Sequence, residues 1–352
     1  MAGQLFRGFS ATTLLAIALA LAGCNSPNRQ LFEAAESGTP ADVEAALREG
    51  ASIDALNREG QTPLMFAVSR NDLTVVQSLI DAGAKLNVGD RRAVTPLMFA
   101  ASRNNVDVIR ALIDAGADVN AQDGGRASAL MIAARNNDVS VVRALIEAGA
   151  DVELKDRGHA TALMVAAGHN DVAVVQALIE AGADVNQQAE ESWTVLMVAV
   201  RENDLDVVRA LIDAGADVNA RDRDGATALM IAARHNDAAV VRALIEAGAE
   251  VDARAAGDTT ALMVAARGNS AEVVQTLIEA GAEVNARDKV ELTPLMIAAR
   301  HNEPAVVRVL LERGAISSLQ DVRGLTAADH AGRNDRIRGT ALEVRLSEAL
   351  AE

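Results

Sequence analysis

Sulfur, imidazole and guanidinium are the side-chain groups in this sequence whose types and spacing could do chemistry. Apart from the initiator, every methionine falls on one lattice: Met65, Met98, Met131, Met164, Met197, Met230, Met263 and Met296, in steps of 33 residues. Such a row of thioethers raises copper binding and oxidant scavenging as chemistries. His169, His235 and His301 share a second lattice position, two steps apart. Cations recur there and at the residue before it, in Arg70, Arg103, Arg135, Arg201, Arg234-His235, Arg267 and Arg300-His301. The one thiol is Cys24. A single cysteine excludes both an intramolecular disulfide framework and a cysteine zinc cluster.

The elements that position these groups follow from the period itself. A fixed repeat of this length means one supersecondary unit stacked many times. Each unit begins with a run such as TPLMFAV (Thr62–Val68), SALMIAA (Ser128–Ala134) or TALMVAA (Thr161–Ala167). Thr62 and its equivalents suit the helix N-cap, and Pro63, Pro96 and Pro294 suit the first helical turn. Leu64, Ala67 and Val68 fall on one helical face. Asn71, Asn104, Asn137, Asn170, Asn203, Asn236, Asn269 and Asn302 follow that helix, where Asn tolerates a left-handed turn. Asp138, Asp171, Asp204 and Asp237 open a second helix at its positive end. Val75-Val76 and Leu79-Ile80 are its expected buried side, Gly83-Ala84 its stop, and Asp118-Val119-Asn120 leads into the next turn. Helix layers pack about 8–10 Å apart. Neighbouring thioethers therefore cannot share an ion, and the methionines read as adaptable core filler. The histidines, about 16–20 Å apart by the same spacing, cannot converge on a metal. No metal and no cofactor is expected.

The T-P-L-x-x-A-A run, the L-I-x-A-G-A-D-V-N run and the spacing between them resemble the ankyrin repeat. The resemblance implies an all-α solenoid of stacked helix-turn-helix units joined by β-hairpin fingers, about ten repeats including caps. Residues 31–56 form the N-terminal capping repeat, 57–320 the eight internal repeats and 321–352 the C-terminal capping repeat. In the last unit Asp329 stands on the methionine lattice and Ala328 where every complete unit has Leu, which suits an end that faces water. The family commonly carries a hydrogen-bonding His where this chain has Met, so each unit is expected to exchange a polar tie for an apolar contact. The resemblance also places the ends of the inner helices on the concave side. Arg135, His169, Arg201, Arg234, His235, Arg267, Arg300 and His301 then form a cationic strip, and two readings of it stand: solvated side chains, or a surface that docks an acidic protein. Trp193, at a finger position beside Glu190, Glu191 and Ser192, is open between a binding hot spot and a side chain packed over its neighbouring finger.

The chain has 352 residues and a net charge of −16, which argues against a nucleic-acid partner. Half of it is apolar but only 2% is aromatic, a composition suited to a thin repeated core rather than one large one. Arg143 with Glu147, Arg209 with Asp213, Arg242 with Glu246 and Arg308 with Glu312 have the four-residue spacing of solvated pairs within a helix. There is no Gly-rich phosphate loop, no HExxH and no nucleophile elbow. Carboxylates recur as ladders rather than as a pair in one site, so the chain is not expected to be an enzyme.

Residues 1–23 have the layout of a secretory signal peptide: Arg7, an uncharged apolar run from Ala11 to Ala22, then small residues. The end, Leu21-Ala22-Gly23-Cys24, resembles the lipobox of bacterial lipoproteins. That resemblance implies acylation of Cys24, a tether through residues 24–30 read as a short linker, and a periplasmic location. Asn25 after the Cys leans toward the outer membrane rather than the inner. The expectation is a monomeric, membrane-tethered protein-protein interaction scaffold. The alternative is an envelope spacer with no dedicated partner.

Overall fold

The period of the sequence becomes a period of capped helices. The computed structural model describes residues 26–342 and 346, apart from 104, 137, 170, 203, 236, 237 and 269. Thr62 opens the inner helix Pro63–Arg70 from extended backbone, its Oγ1 accepting the Met65 N–H at 3.3 Å. Thr161 does the same for Met164, Thr293 for Met296 and Ser128 for Met131. Each cap satisfies a donor that the helix start leaves orphaned, a contribution of about 1 kcal/mol. Leu64, Ala67 and Val68 are fully buried, as the spacing requires. The outer helix Leu73–Asp81 is capped by Asp72, which accepts from the Thr74 and Val75 N–H groups. Asp138, Asp171 and Asp204 repeat that cap, while Asp237 lies outside the described residues. Val75, Val76 and Leu79 are buried, and Ile80 is half-buried. Gly83, at φ 87°, then turns the chain left-handed so that the Ala84 N–H reaches the Leu79 carbonyl at 3.0 Å.

The chain divides into two compact units, Met1–Asp123 and Gly124–Glu352. In the first, three helix pairs stack: Pro27–Ser37 with Pro40–Arg48, Pro63–Arg70 with Leu73–Asp81, and Pro96–Arg103 with Val106–Asp114. Phe32 and Phe66 meet edge to face there, with ring centroids 5.2 Å apart. The second unit holds six complete pairs, from Ala129–Asn136 with Val139–Glu147 through to Pro294–His301 with Pro304–Glu312, and ends on the five-residue helix Ala327–Ala331. Within each unit an inner helix packs on its own outer helix and on the next inner helix. All eight lattice methionines are buried in this layer.

Several expectations are corrected by the structure. Residues 27–30, read above as part of a linker, are the first turn of helix Pro27–Ser37, which Ser26 caps. Asn71 does take the left-handed conformation at φ 59°, but Asn302 is extended and buried. Its Nδ2 donates to the Ala266 carbonyl at 3.0 Å and to that of Ala265 at 3.4 Å, so it ties one inner-helix end to the previous one instead of closing its own. Asn334 makes the corresponding tie to Ala299 at 3.0 Å. The other lattice asparagines lie outside the described residues. The methionine exchange does not remove the polar tie everywhere. The thioethers of Met65 and Met98 accept the Thr62 and Thr95 N–H groups at 3.4 and 3.5 Å, as weak acceptors in a capping box. In the last repeat Asp329 makes the strong version, with its carboxylate on the Thr326 N–H at 2.8 Å. Finally, two of the four outer-helix arginines read as pairing within their helix reach across repeats instead. Arg143 meets Glu180 at 3.3 Å and Arg242 meets Glu272 at 3.1 Å, in place of the pairs with Glu147 and Glu246.

The fingers are short turns, and no extended strand occurs among the described residues. In a typical finger the Asp156 N–H reaches the Ala160 carbonyl at 3.0 Å, and Asp156 Oδ1 accepts from Gly158 and Ala160. Each tip donates one backbone hydrogen bond to the previous tip: Glu190 to Gly158, Arg223 to Glu191, Ala256 to Asp224, Lys289 to Gly257 and Val322 to Val290. Below the tips, Asn186, Asn219 and Asn285 each accept a backbone N–H of the next repeat and donate to one of its glycine carbonyls.

Candidate functional site

The strip is built by helix ends. Arg135, Arg201, Arg234, His235, Arg267, Arg300 and His301 occupy the last two positions of inner helices in the second unit, and His169 lies just past the helix Ala162–Ala167. A cation there faces the negative end of the helix dipole, which gives each position a structural reason to be basic. Stacking then aligns the ends. Arg135, His169, Arg201, Arg234, His235, Arg267 and His301 are exposed, and Arg300 is half-buried. His169 is oriented by its own helix, with Nδ1 2.7 Å from the Val165 carbonyl.

The ends also share a field. Partial burial pushes the His301 pKa below its ordinary value, and Arg300, Arg267 and His330 push it further the same way. Arginines from two successive repeats therefore act on one ring, at the C-terminal part of the strip. Its middle is different. Arg201 places its guanidinium 5.2 Å from the centre of the Trp193 ring and its Nε 3.0 Å from Glu202. Trp193, half-buried, thus joins its finger to the inner helix of its own repeat, and Arg201 is less available to a partner than Arg234 or Arg267.

The Trp193 finger itself departs from the rest for a legible reason. The turn aspartate that braces other fingers is Ala189 here, and the turn at Glu190–Ser192 carries two successive left-handed residues, Glu191 and Ser192 at φ 59° and 60°. Ala255 has the same effect at Ala256–Asp258. Glu191 is held from the next finger by Arg223, which contacts both its carboxylate oxygens at 2.9 Å. That pair, and the Asn186, Asn219 and Asn285 ties, escaped the sequence reading. The asparagines were visible as a lattice, but nothing in one repeat shows where the next repeat's N–H will stand.

Among the described residues no group of three or more His, Cys, Asp or Glu could hold a metal ion. No described helix is long and apolar enough to cross a membrane. Cys24 lies outside the described residues.

Fold and face together define a stacked-repeat protein whose exposed helix ends and fingers carry its variable side chains. The sequence model of the family described as ankyrin repeats (three copies) matches residues 31–123, 130–222, 174–255, 196–288 and 262–340. The chain belongs to the ankyrin repeat family, whose arrays are protein-protein interaction scaffolds. Among solved structures it is similar to the ankyrin repeat domain of Bcl-3, a member of the IκB family. The identity is 29% and the TM-score 0.56, covering 61% of this chain and 97% of that one. It is likewise similar to the human ASB11 ankyrin repeat domain, at 26% identity and TM-score 0.57, covering 63% and 99%. No curated protein sequence matches significantly.

Proposed function

We propose that this chain is a lipid-tethered scaffold of the cell envelope that docks the acidic surface of a protein partner on the inner-helix ends of its second unit. One observation carries the docking half: a row of mostly exposed cations, in which His301 feels its neighbours Arg300 and Arg267, on a protein of net charge −16. Arginine suits carboxylates through its forked donors, and charges placed this way set on-rate and partner choice more than affinity. Trp193 at the edge of the row adds an apolar anchor of the kind that dominates binding energy. The role is binding rather than catalysis. The tether rests on Leu21-Ala22-Gly23-Cys24 and the apolar run before it. Acyl chains on Cys24 contribute about 0.8 kcal/mol per buried methylene, on the periplasmic side and, from Asn25, at the outer membrane.

Two experiments test the halves separately. In the triple variant Arg234→Glu, Arg267→Glu, Arg300→Glu, recovery of the partner from solubilised membranes should fall roughly tenfold or more, about 1.4 kcal/mol. Melting should stay cooperative, lowered only by the roughly 0.3–1 kcal/mol per site that a helix-end cation contributes. Equal recovery would leave only an envelope spacer. Cys24→Ser should move the chain from the membrane to the soluble fraction, and a variant that stays would remove the tether.

A further inference from the structure

The first unit carries an open groove of about 1150 Å³ on its outer helices, Pro40–Arg48, Leu73–Asp81 and Val106–Asp114, whereas the cationic strip is built from inner-helix ends of the second unit. Its floor is apolar: Leu47 and Ile80 are half-buried in it, and Leu73 is 39% exposed. Its rim is acidic, with Glu44, Asp81, Asp107 and Asp114 against one cation, Arg110. Glu44 has a partner in Arg48 at 3.6 Å, and Asp81 accepts from Gln77 on its own helix. The second unit carries ion pairs across part of the equivalent surface. There Arg143–Glu180, Arg242–Glu272 and Arg313–Glu279 bridge neighbouring repeats at 2.9–3.3 Å. In the first unit the lattice position of Arg143 and Arg242 holds Gln77 and Arg110, and among the described residues neither makes an ion pair to the next outer helix.

We infer that this groove is a second docking site, for a cationic amphipathic helix of a protein partner. Charge selects the occupant. An apolar floor removes water from leucine-like side chains at about 25 cal/mol per Å², and the carboxylate rim meets lysines or arginines on the flanks of the same helix. Geometry sets its length. Three outer helices at roughly 8–10 Å spacing span about 20 Å, which a helix of about 14 residues covers at 1.5 Å per residue. The groove differs from the strip in charge: the strip takes an acidic surface, the groove a basic one.

The test uses the purified full chain and a fluorescein-labelled 14-residue helical peptide of leucine and lysine, with a leucine–glutamate peptide as its opposite. The leucine–lysine peptide should bind saturably in fluorescence anisotropy, and the leucine–glutamate peptide should not. Leu73→Asp separates the groove from general attraction to an acidic protein. It adds negative charge at the first position of its helix, where the dipole favours it, while removing the apolar floor. Affinity should fall at least tenfold in Leu73→Asp and in Asp114→Lys, but not in Asp213→Lys, the same charge change on an outer helix of the second unit. Tighter binding to Leu73→Asp, equal loss in Asp213→Lys, or no saturable binding would each overturn the inference.

Discussion

Asn302 shows how a single side chain can hold two repeats. It is buried, it bridges to the Ala265 and Ala266 carbonyls, and its Oδ1 also accepts the Glu303 N–H at 2.7 Å. Asn302→Ala leaves buried carbonyls and an N–H without partners, at about 1–3 kcal/mol each before relaxation, so the urea midpoint should drop with an unchanged slope. His330 and Asp321 set a second residue-scale test. Burial pushes the His330 pKa down, against the opposing pull of its hydrogen bond to Asp321 at 3.1 Å. Burial works to raise Asp321, but the Leu325 N–H, the Arg323 side chain and N–H, and the His330 ring together hold it far below the usual carboxylate range. An unfolded histidine takes up its proton near pH 6.5 while the folded ring resists it. This part of the stability is therefore complete above about pH 6.5 and lost as pH falls below it. The Asp321 part is present above about pH 3.9 and lost only below that. His330→Gln, which keeps a donor for Asp321, should flatten the decline in melting temperature between pH 6.5 and 5. A profile identical to the parent's would show that His330 does not titrate across unfolding.

At the scale of elements, the fingers obey one local rule with two exceptions. Asp90, Asp156, Asp222, Asp288 and Asp321 each accept two N–H groups inside their own turn. Ala189 and Ala255 cannot, and among the described residues only those two fingers carry two left-handed residues in succession, Glu191-Ser192 and Gly257-Asp258. Ala189→Asp should restore the braced turn and raise stability by roughly 1 kcal/mol. The gain would be read as a higher urea midpoint, together with a change in Trp193 fluorescence as its finger is reset. A lower midpoint would show that the left-handed turn is required by the Trp193–Arg201 contact. The methionine row belongs to this scale too. Each of the eight complete units carries the same buried residue, and Met65 and Met98 retain a weak acceptor at the helix start.

For the whole molecule, the period made the helix pairs, their caps and their buried faces legible, because each repeats a local pattern that one sequence window contains. What crosses between repeats was not legible. The Asn302 tie, the Arg143–Glu180 and Arg242–Glu272 bridges and the tip-to-tip backbone bonds depend on which side chain of one repeat stands beside which atom of the next. Spacing along the chain does not encode that. The candidate strip was readable as a row, since Arg234, Arg267 and Arg300 recur in register. The diversion of Arg201 to Trp193 was not, for that contact joins a finger to a helix eight residues later. Repeats that bury their apolar sides only against one another leave their helix ends free for a partner, and this is the central claim. A photoreactive amino acid placed in turn at Arg234, at Arg267 and, on an outer helix, at Asp213 tests it most directly, with crosslinking in intact cells followed by mass spectrometry. The account predicts one shared protein adduct from Arg234 and Arg267 and none of that mass from Asp213. Adducts of equal yield from all three positions, or from Asp213 alone, would contradict it.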